Sequence, residues 1–138
     1  MKRLFPLILV LAVLSCSRPS STEQFLRGEG PFAFAVDMSD STATYSFDVY
    51  TRIDAREYPA ELQLDMAWKA PGDSIYRETV YLPVNGRSTT FTHDAYAPYR
   101  DGVVPVEWGV WELVITVPDQ PDGFRGMGLV VRRTPMSF

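Results

Sequence analysis

One histidine, one cysteine and seventeen carboxylates are the side chains of this chain best suited to acid–base, nucleophilic or metal chemistry. His93 lies in "FTHDAY", within a stretch that lacks regular periodicity. A catalytic base there requires an activated nucleophile within hydrogen-bond reach, and none of the serines sits in a nucleophile-elbow pattern. The expectation for His93 is a solvated loop residue. Zinc would find only carboxylates to complete its ligand set, a poor match to its preference for nitrogen and sulfur. Asp37 and Asp40 in "DMSD", and Asp119 and Asp122 in "DQPDG", lack the twelve-residue pattern of a calcium loop. Aspartate beside glycine or proline is turn chemistry first. Two acids on one rim would suit glycoside hydrolysis, but nothing marks which two. These readings predict no enzyme, no cofactor and no metal.

The aromatic residues offer a different kind of chemistry. Tyr96, Tyr99 and Arg100 in "DAYAPYRDG", with Trp108 in "VEWGVW", are a candidate partner surface or sugar-stacking surface. The plainer role for the same residues is to cover the core near strand ends.

Cys16 is placed by its surroundings. Lys2 and Arg3 give a basic start, Leu4 to Leu14 is apolar apart from Pro6, and Ser15 is small. That order is a secretory signal peptide, and its apolar run is about half of the roughly 20 residues that span a bilayer. Val13-Leu14-Ser15-Cys16 resembles a bacterial lipobox, whose cysteine is acylated after cleavage before it. A single cysteine in an exported chain has no disulfide partner, and several acyl chains anchor where one does not. Removing residues 1–15 leaves 123 of 138 residues and takes the formal charge from −4 to −6. An acidic chain is a poor nucleic-acid binder and gains little from anionic lipid, so the acyl chains on Cys16 must hold it at the membrane. The expected address is the bacterial envelope, at the periplasmic face of the outer membrane.

The elements that must position these residues have a period of two. Residues 16–30 are polar and broken by Pro19, Gly28 and Gly30, and read as a flexible tether in which only Phe25 and Leu26 have docking potential. From residue 31 the strands follow: "FAFAVDM", then "TYSFDVYTRI" with Tyr45, Phe47, Val49 and Thr51 on one face. "ELQLDMAWKA" turns Leu62, Leu64, Met66 and Trp68 inward, and "PGD" leads to its hairpin partner "SIYRETVYL". Pro83 to Glu107 is irregular, with short strands expected at Ser88 to Thr92 and near Val103. "GVWELVITVP" and "GMGLVVRR" close the chain. Residues 31–138 are thus predicted to form one all-β domain, an antiparallel β-sandwich of about seven to eight strands, Ig-like or jelly-roll-like, with a small barrel as the second choice. Phe47, Trp68, Trp111 and Tyr81 are its candidate core aromatics.

The ordered set of motifs resembles the GldH gliding-motility lipoprotein family. A lipobox cysteine precedes "DMSDSTATYSFDVYTRID", with Asp40-Ser41-Thr42, Tyr45 and Arg52. "YPAELQLDMAW", the hairpin "PGDSIYRETVYLPV", "PYRDGVVPVEWGVWELVITV" and "DGFRGMGLVVRR" follow in order. Family members carry a longer segment, containing glycine and tryptophan, where this chain has only about Val84 to Ala95. The resemblance implies a non-enzymatic envelope lipoprotein that supports gliding or the associated secretion machinery through protein partners, with no catalytic residues to carry over. The rival expectation is a glycan-binding surface lipoprotein in nutrient capture.

Overall fold

The computed structural model describes residues 20–87 and 89–136. The expected signal peptide (1–15), Cys16 and the start of the expected tether lie outside the described residues, as does Ser88. Eight strands follow one another: β1 (Ser20–Arg27), β2 (Phe32–Met38), β3 (Ala43–Asp54), β4 (Glu61–Lys69), β5 (Ile75–Pro83), β6 (Thr92–Val103), β7 (Gly109–Thr116) and β8 (Phe124–Pro135). No helix occurs among the described residues.

The strands form two four-stranded sheets, ordered β1-β8-β3-β6 and β2-β7-β4-β5, and every pairing is antiparallel. Every connection but β4–β5 passes from one sheet to the other. This is the eight-stranded jelly-roll form of the β-sandwich, the second of the two topologies expected. Its edges are β1 and β2 on one side, joined by Gln24 Nε2 donating to the Ala35 carbonyl at 3.1 Å, and β5 and β6 on the other.

Alternation builds the core. Phe32, Phe34, Val36 and Met38 of β2 are buried while Ala33, Ala35 and Asp37 are exposed. Leu62, Leu64 and Met66 of β4, with Leu113 and Ile115 of the neighbouring β7, share one buried core with Tyr45, Phe47, Val49, Ile53 and Leu129 of the other sheet. Each such side chain contributes roughly 1.5–3 kcal/mol by leaving water. The "PGD" turn closes the β4–β5 hairpin as expected: Asp73, at φ 74°, donates its N–H to Ala70 at 3.0 Å, and Ala70 donates to Ser74 at 2.8 Å.

Four details correct the sequence reading. Residues 20–27, expected as tether, are β1, paired along its whole length with β8. An edge strand draws its hydrogen bonds from one neighbour's backbone and needs no buried face, so its polar side chains gave no strand signal. The irregular stretch holds one long strand, β6, in place of the one or two short ones expected. Pro98 sits within it because an edge strand tolerates a missing N–H. Tyr81 is 58% exposed, because β5 turns Leu82, Val80, Glu78 and Tyr76 inward opposite Leu62, Leu64, Met66 and Trp68. His93 lies on β6 instead of in a loop, its ring stacked on Tyr58 at 5.3 Å and its Nε2 shielded from solvent.

Candidate functional site

Where the edges of β5 and β6 meet, the two sheets part into a cleft of about 250 Å³. Phe47 and Met38 form its floor. Trp68, Tyr76, Tyr99 and Trp111 form its walls, and Val103 to Val106 form one lip. The hairpin register makes this arrangement, since Tyr76 lies opposite Trp68 and Glu78 opposite Met66. On β6 the inward positions pass from buried Ala95 through half-buried Ala97 to Tyr99.

The rings interlock. Trp68 packs on Phe47 at 5.2 Å, runs parallel to Tyr99 at 6.4 Å and meets Trp111 edge-on at 6.2 Å and 78°. Trp111 also meets Tyr76 at 6.0 Å. The polar atoms of Trp68, Tyr99 and Trp111 are engaged. Trp111 Nε1 donates to the Glu107 carbonyl at 2.8 Å, and Trp68 Nε1 donates to the Tyr99 hydroxyl at 3.0 Å. The Tyr99 hydroxyl in turn donates to Glu78 Oε1, and Arg100 Nη2 donates to Glu78 Oε2. Burial, and then the hydrogen bond to the Glu78 carboxylate, push the Tyr99 hydroxyl well above an ordinary phenol. Arg100 also lies over the Tyr99 ring, 5.0 Å from its centre.

Glu78 is therefore a charged residue on the inward face of an edge strand, tied to the edge strand of the other sheet. It pins β5 to β6, with one hydrogen bond accepted at each of its oxygens. What remains open to a visitor is apolar and aromatic surface.

The four candidate surface residues do not share one site. Tyr99 and Arg100 line the cleft. Tyr96 projects from the opposite face of β6, where it is 55% exposed and stacks on Tyr50 at 4.4 Å. Trp108 lies in the β6–β7 loop, 38% exposed, and is not part of the cleft wall. Sequence reasoning did not group Trp68, Tyr76, Glu78 and Trp111 with Tyr99. The inward parity of the β4–β5 hairpin was the available signal for the first three.

The carboxylate pairs act in turns. Asp37 Oδ1 accepts from the Ser39 N–H at 3.0 Å and Oγ at 2.5 Å, and Asp40 Oδ1 accepts from the Thr42 N–H at 2.9 Å and Oγ1 at 2.6 Å. Those Thr42 bonds, the side-chain one foremost, hold the Asp40 carboxyl below its ordinary range. Asp119 and Asp122 are exposed in the β7–β8 connection.

No protein-family model matches the chain, and no curated protein does. Among solved structures, the infectious bursal disease virus Gx strain is similar over 86% of this chain at 10% identity and a TM-score of 0.40. The Gt strain of the same virus is similar over 86% at 11% identity and a TM-score of 0.35. An arabinose-bound α-L-arabinofuranosidase is similar over 86% at 15% identity and a TM-score of 0.31. The chain spans about a third of the length of the viral proteins it matches, 32% of each, and 18% of the arabinofuranosidase.

Proposed function

We propose that this protein is a non-enzymatic, lipid-anchored component of a bacterial envelope, similar to GldH, that serves gliding or associated secretion machinery by holding a protein partner. The observation that carries the reading is the cleft between β5 and β6. It is apolar and aromatic, it lies between two exposed sheet edges, and its one carboxylate is tied to Tyr99 and Arg100. A carboxylate so engaged is poorly placed to move protons, while an aromatic cleft of this size suits an apolar anchor side chain of a partner. Acyl chains on Cys16 would keep the domain at the membrane, and the pinned edges would hold the cleft open towards the periplasm.

The test is a photo-crosslinking residue placed at Val106, which is 81% exposed on the cleft lip. The expected product in envelope fractions is an adduct with a secretion or gliding component, lost when Tyr76→Ala removes one wall. Absence of any such adduct, together with normal secretion after deletion of the protein, refutes the reading.

A further inference from the structure

The outer face of the β1-β8-β3-β6 sheet carries a second aromatic assembly, separate from the cleft. Phe25, Gly128, Tyr50 and Tyr96 are cross-strand partners in one row across all four strands. A Cβ on Gly128 would come within 2.1 Å of Tyr50 Cε1 and Cζ and 2.6 Å of Cε2. Three ring atoms that close to one point mean that the Tyr50 ring lies flat on the sheet, over the glycine. Tyr96 stacks on it, 4.4 Å away and only 19° from parallel. The sheet occupies the far side of Tyr50, so Tyr96 lies outside it and presents its other face to solvent. Phe25 completes the stack beside Tyr50, at 5.7 Å and 17°.

The assembly is held from its rim. Burial first, and then the nearby Glu23 carboxylate, raise the hydroxyls of both Tyr50 and Tyr96. Arg52 lies over Phe25, 5.2 Å from the ring centre, and its Nε and Nη2 donate to the two oxygens of Asp94 at 2.8 and 3.0 Å. A guanidinium has five N–H groups, so Arg52 keeps donors in reserve, and each Asp94 oxygen keeps acceptor capacity. The side chains of Arg52 and Asp94 are 36% and 29% exposed.

We infer that this face is a carbohydrate-binding platform, with Tyr96 as the stacking surface and Arg52 and Asp94 as the hydroxyl-binding rim. A pyranose with equatorial substituents has flat, C–H-rich faces whose hydrogens carry partial positive charge. The face of an aromatic ring is negative, so the two stack. The hydroxyls then project sideways, where a planar bidentate pair offers donors and acceptors together. A flat ring already stacked on Tyr50 over Gly128 loses little freedom on binding. Apolar cover for the sheet alone would not require an outward ring held parallel to it, beside an ion pair with spare hydrogen-bonding capacity. This site stands apart from the partner reading, because Tyr99 and the cleft lie on the other face of β6.

The test is calorimetric titration of the full chain with cellohexaose and chitohexaose, in a phosphocholine detergent that has no sugar headgroup. Saturable binding of at least one is expected. Tyr96→Leu, which covers the same surface without a flat face, should lose about tenfold or more. On the wild-type protein, saturation transfer from aromatic protons should mark the C–H protons of the sugar, which decides the matter even if the leucine variant unfolds. Absence of saturable binding by either oligosaccharide, an undiminished affinity in a folded Tyr96→Leu, or no transfer from the aromatic protons overturns the proposal. None of these outcomes bears on crosslinking at Val106.

Discussion

Gly128→Ala tests the geometry of the outer aromatic stack directly. No left-handed backbone is involved at this glycine, so the strand accepts alanine and gains roughly 0.5–1 kcal/mol from lost unfolded-state freedom. The side chain is the difficulty. The new methyl would lie 2.1 Å from Tyr50, where ordinary contact begins near 3.4 Å, so the ring must lift by about 1.3 Å. Tyr50 is only 4% exposed, with Tyr96 above it at 4.4 Å, so the displacement passes into the stack. Overpacking of this kind costs about 1–3 kcal/mol, and each disturbed ring pair about 0.5–1.5 kcal/mol more. The net expectation is destabilisation by about 2 kcal/mol, a fall in Tm of roughly 6–12 °C for a domain of this size. Thermal melts followed by near-ultraviolet dichroism read both the stability and the ring packing. The same substitution in a Tyr50→Ala background should be close to neutral, giving a coupling energy of about 1 kcal/mol or more. A Tm within 2 °C of wild type (small beside the ~6–12 °C expected), or an equal loss with and without Tyr50, would refute the assignment of the ring to the space over Gly128.

Two further expectations concern the tyrosines and the anchor. Burial, the foremost cause in each case, raises the hydroxyls of Tyr45, Tyr50, Tyr96 and Tyr99 above the ordinary value of 10.0, so the folded state holds these protons more tightly than the unfolded chain. Stability should be intact below pH 10 and fall as pH climbs from there towards the raised values. A phenolate absorbance titration should show these four of the seven tyrosines ionising late and together with unfolding, whereas simultaneous ionisation of all seven in the folded protein contradicts it. Cys16→Ser should abolish acylation and move the protein from the detergent phase to the aqueous phase on phase separation. Retention of the serine variant in membranes would rule out Cys16 as the anchor.

The strands that showed themselves in the sequence are those with one wet and one dry face. The alternation in β4 marked the inward Leu62, Leu64 and Met66 correctly, the apolar run of β2 marked a strand, and "PGD" marked the hairpin between β4 and β5. The edges were harder to read. Ser20–Arg27 pairs through its backbone with β8 while almost all its polar side chains stay in water, so it has a strand's hydrogen bonds without a strand's pattern. In β6, Pro98 and the register shifts opposite Tyr45, Phe47 and Asp48 interrupt the period. The candidate sites inherit this difficulty, because both lie on β6. Tyr99 was identifiable as an aromatic near a strand end. Its companions Trp68, Tyr76 and Trp111 come from three strands in the other sheet, and only the topology brings them together.

Tyr96 and Tyr99 lie three residues apart, and the jelly roll gives them separate tasks because β6 is an edge. On the neighbouring strand β3, the inward residues Tyr45, Phe47 and Val49 are sealed between the sheets and are 1 to 3% exposed. The inward residues of β6 lie at the rim of the same space, so Tyr99 can be core on one side of its ring and cleft wall on the other. The outward residues of β6 lie at the margin of a sheet face, so Tyr96 can lean over Tyr50 towards Gly128 and still keep one face free. The exposed edge strands, which a sandwich must protect from pairing with other chains, thus supply positions where a ring is both held by the fold and open to a ligand. Glu78 serves both needs at once. Its ties to Tyr99 and Arg100 close β5 onto β6 and set the ring that lines the cleft.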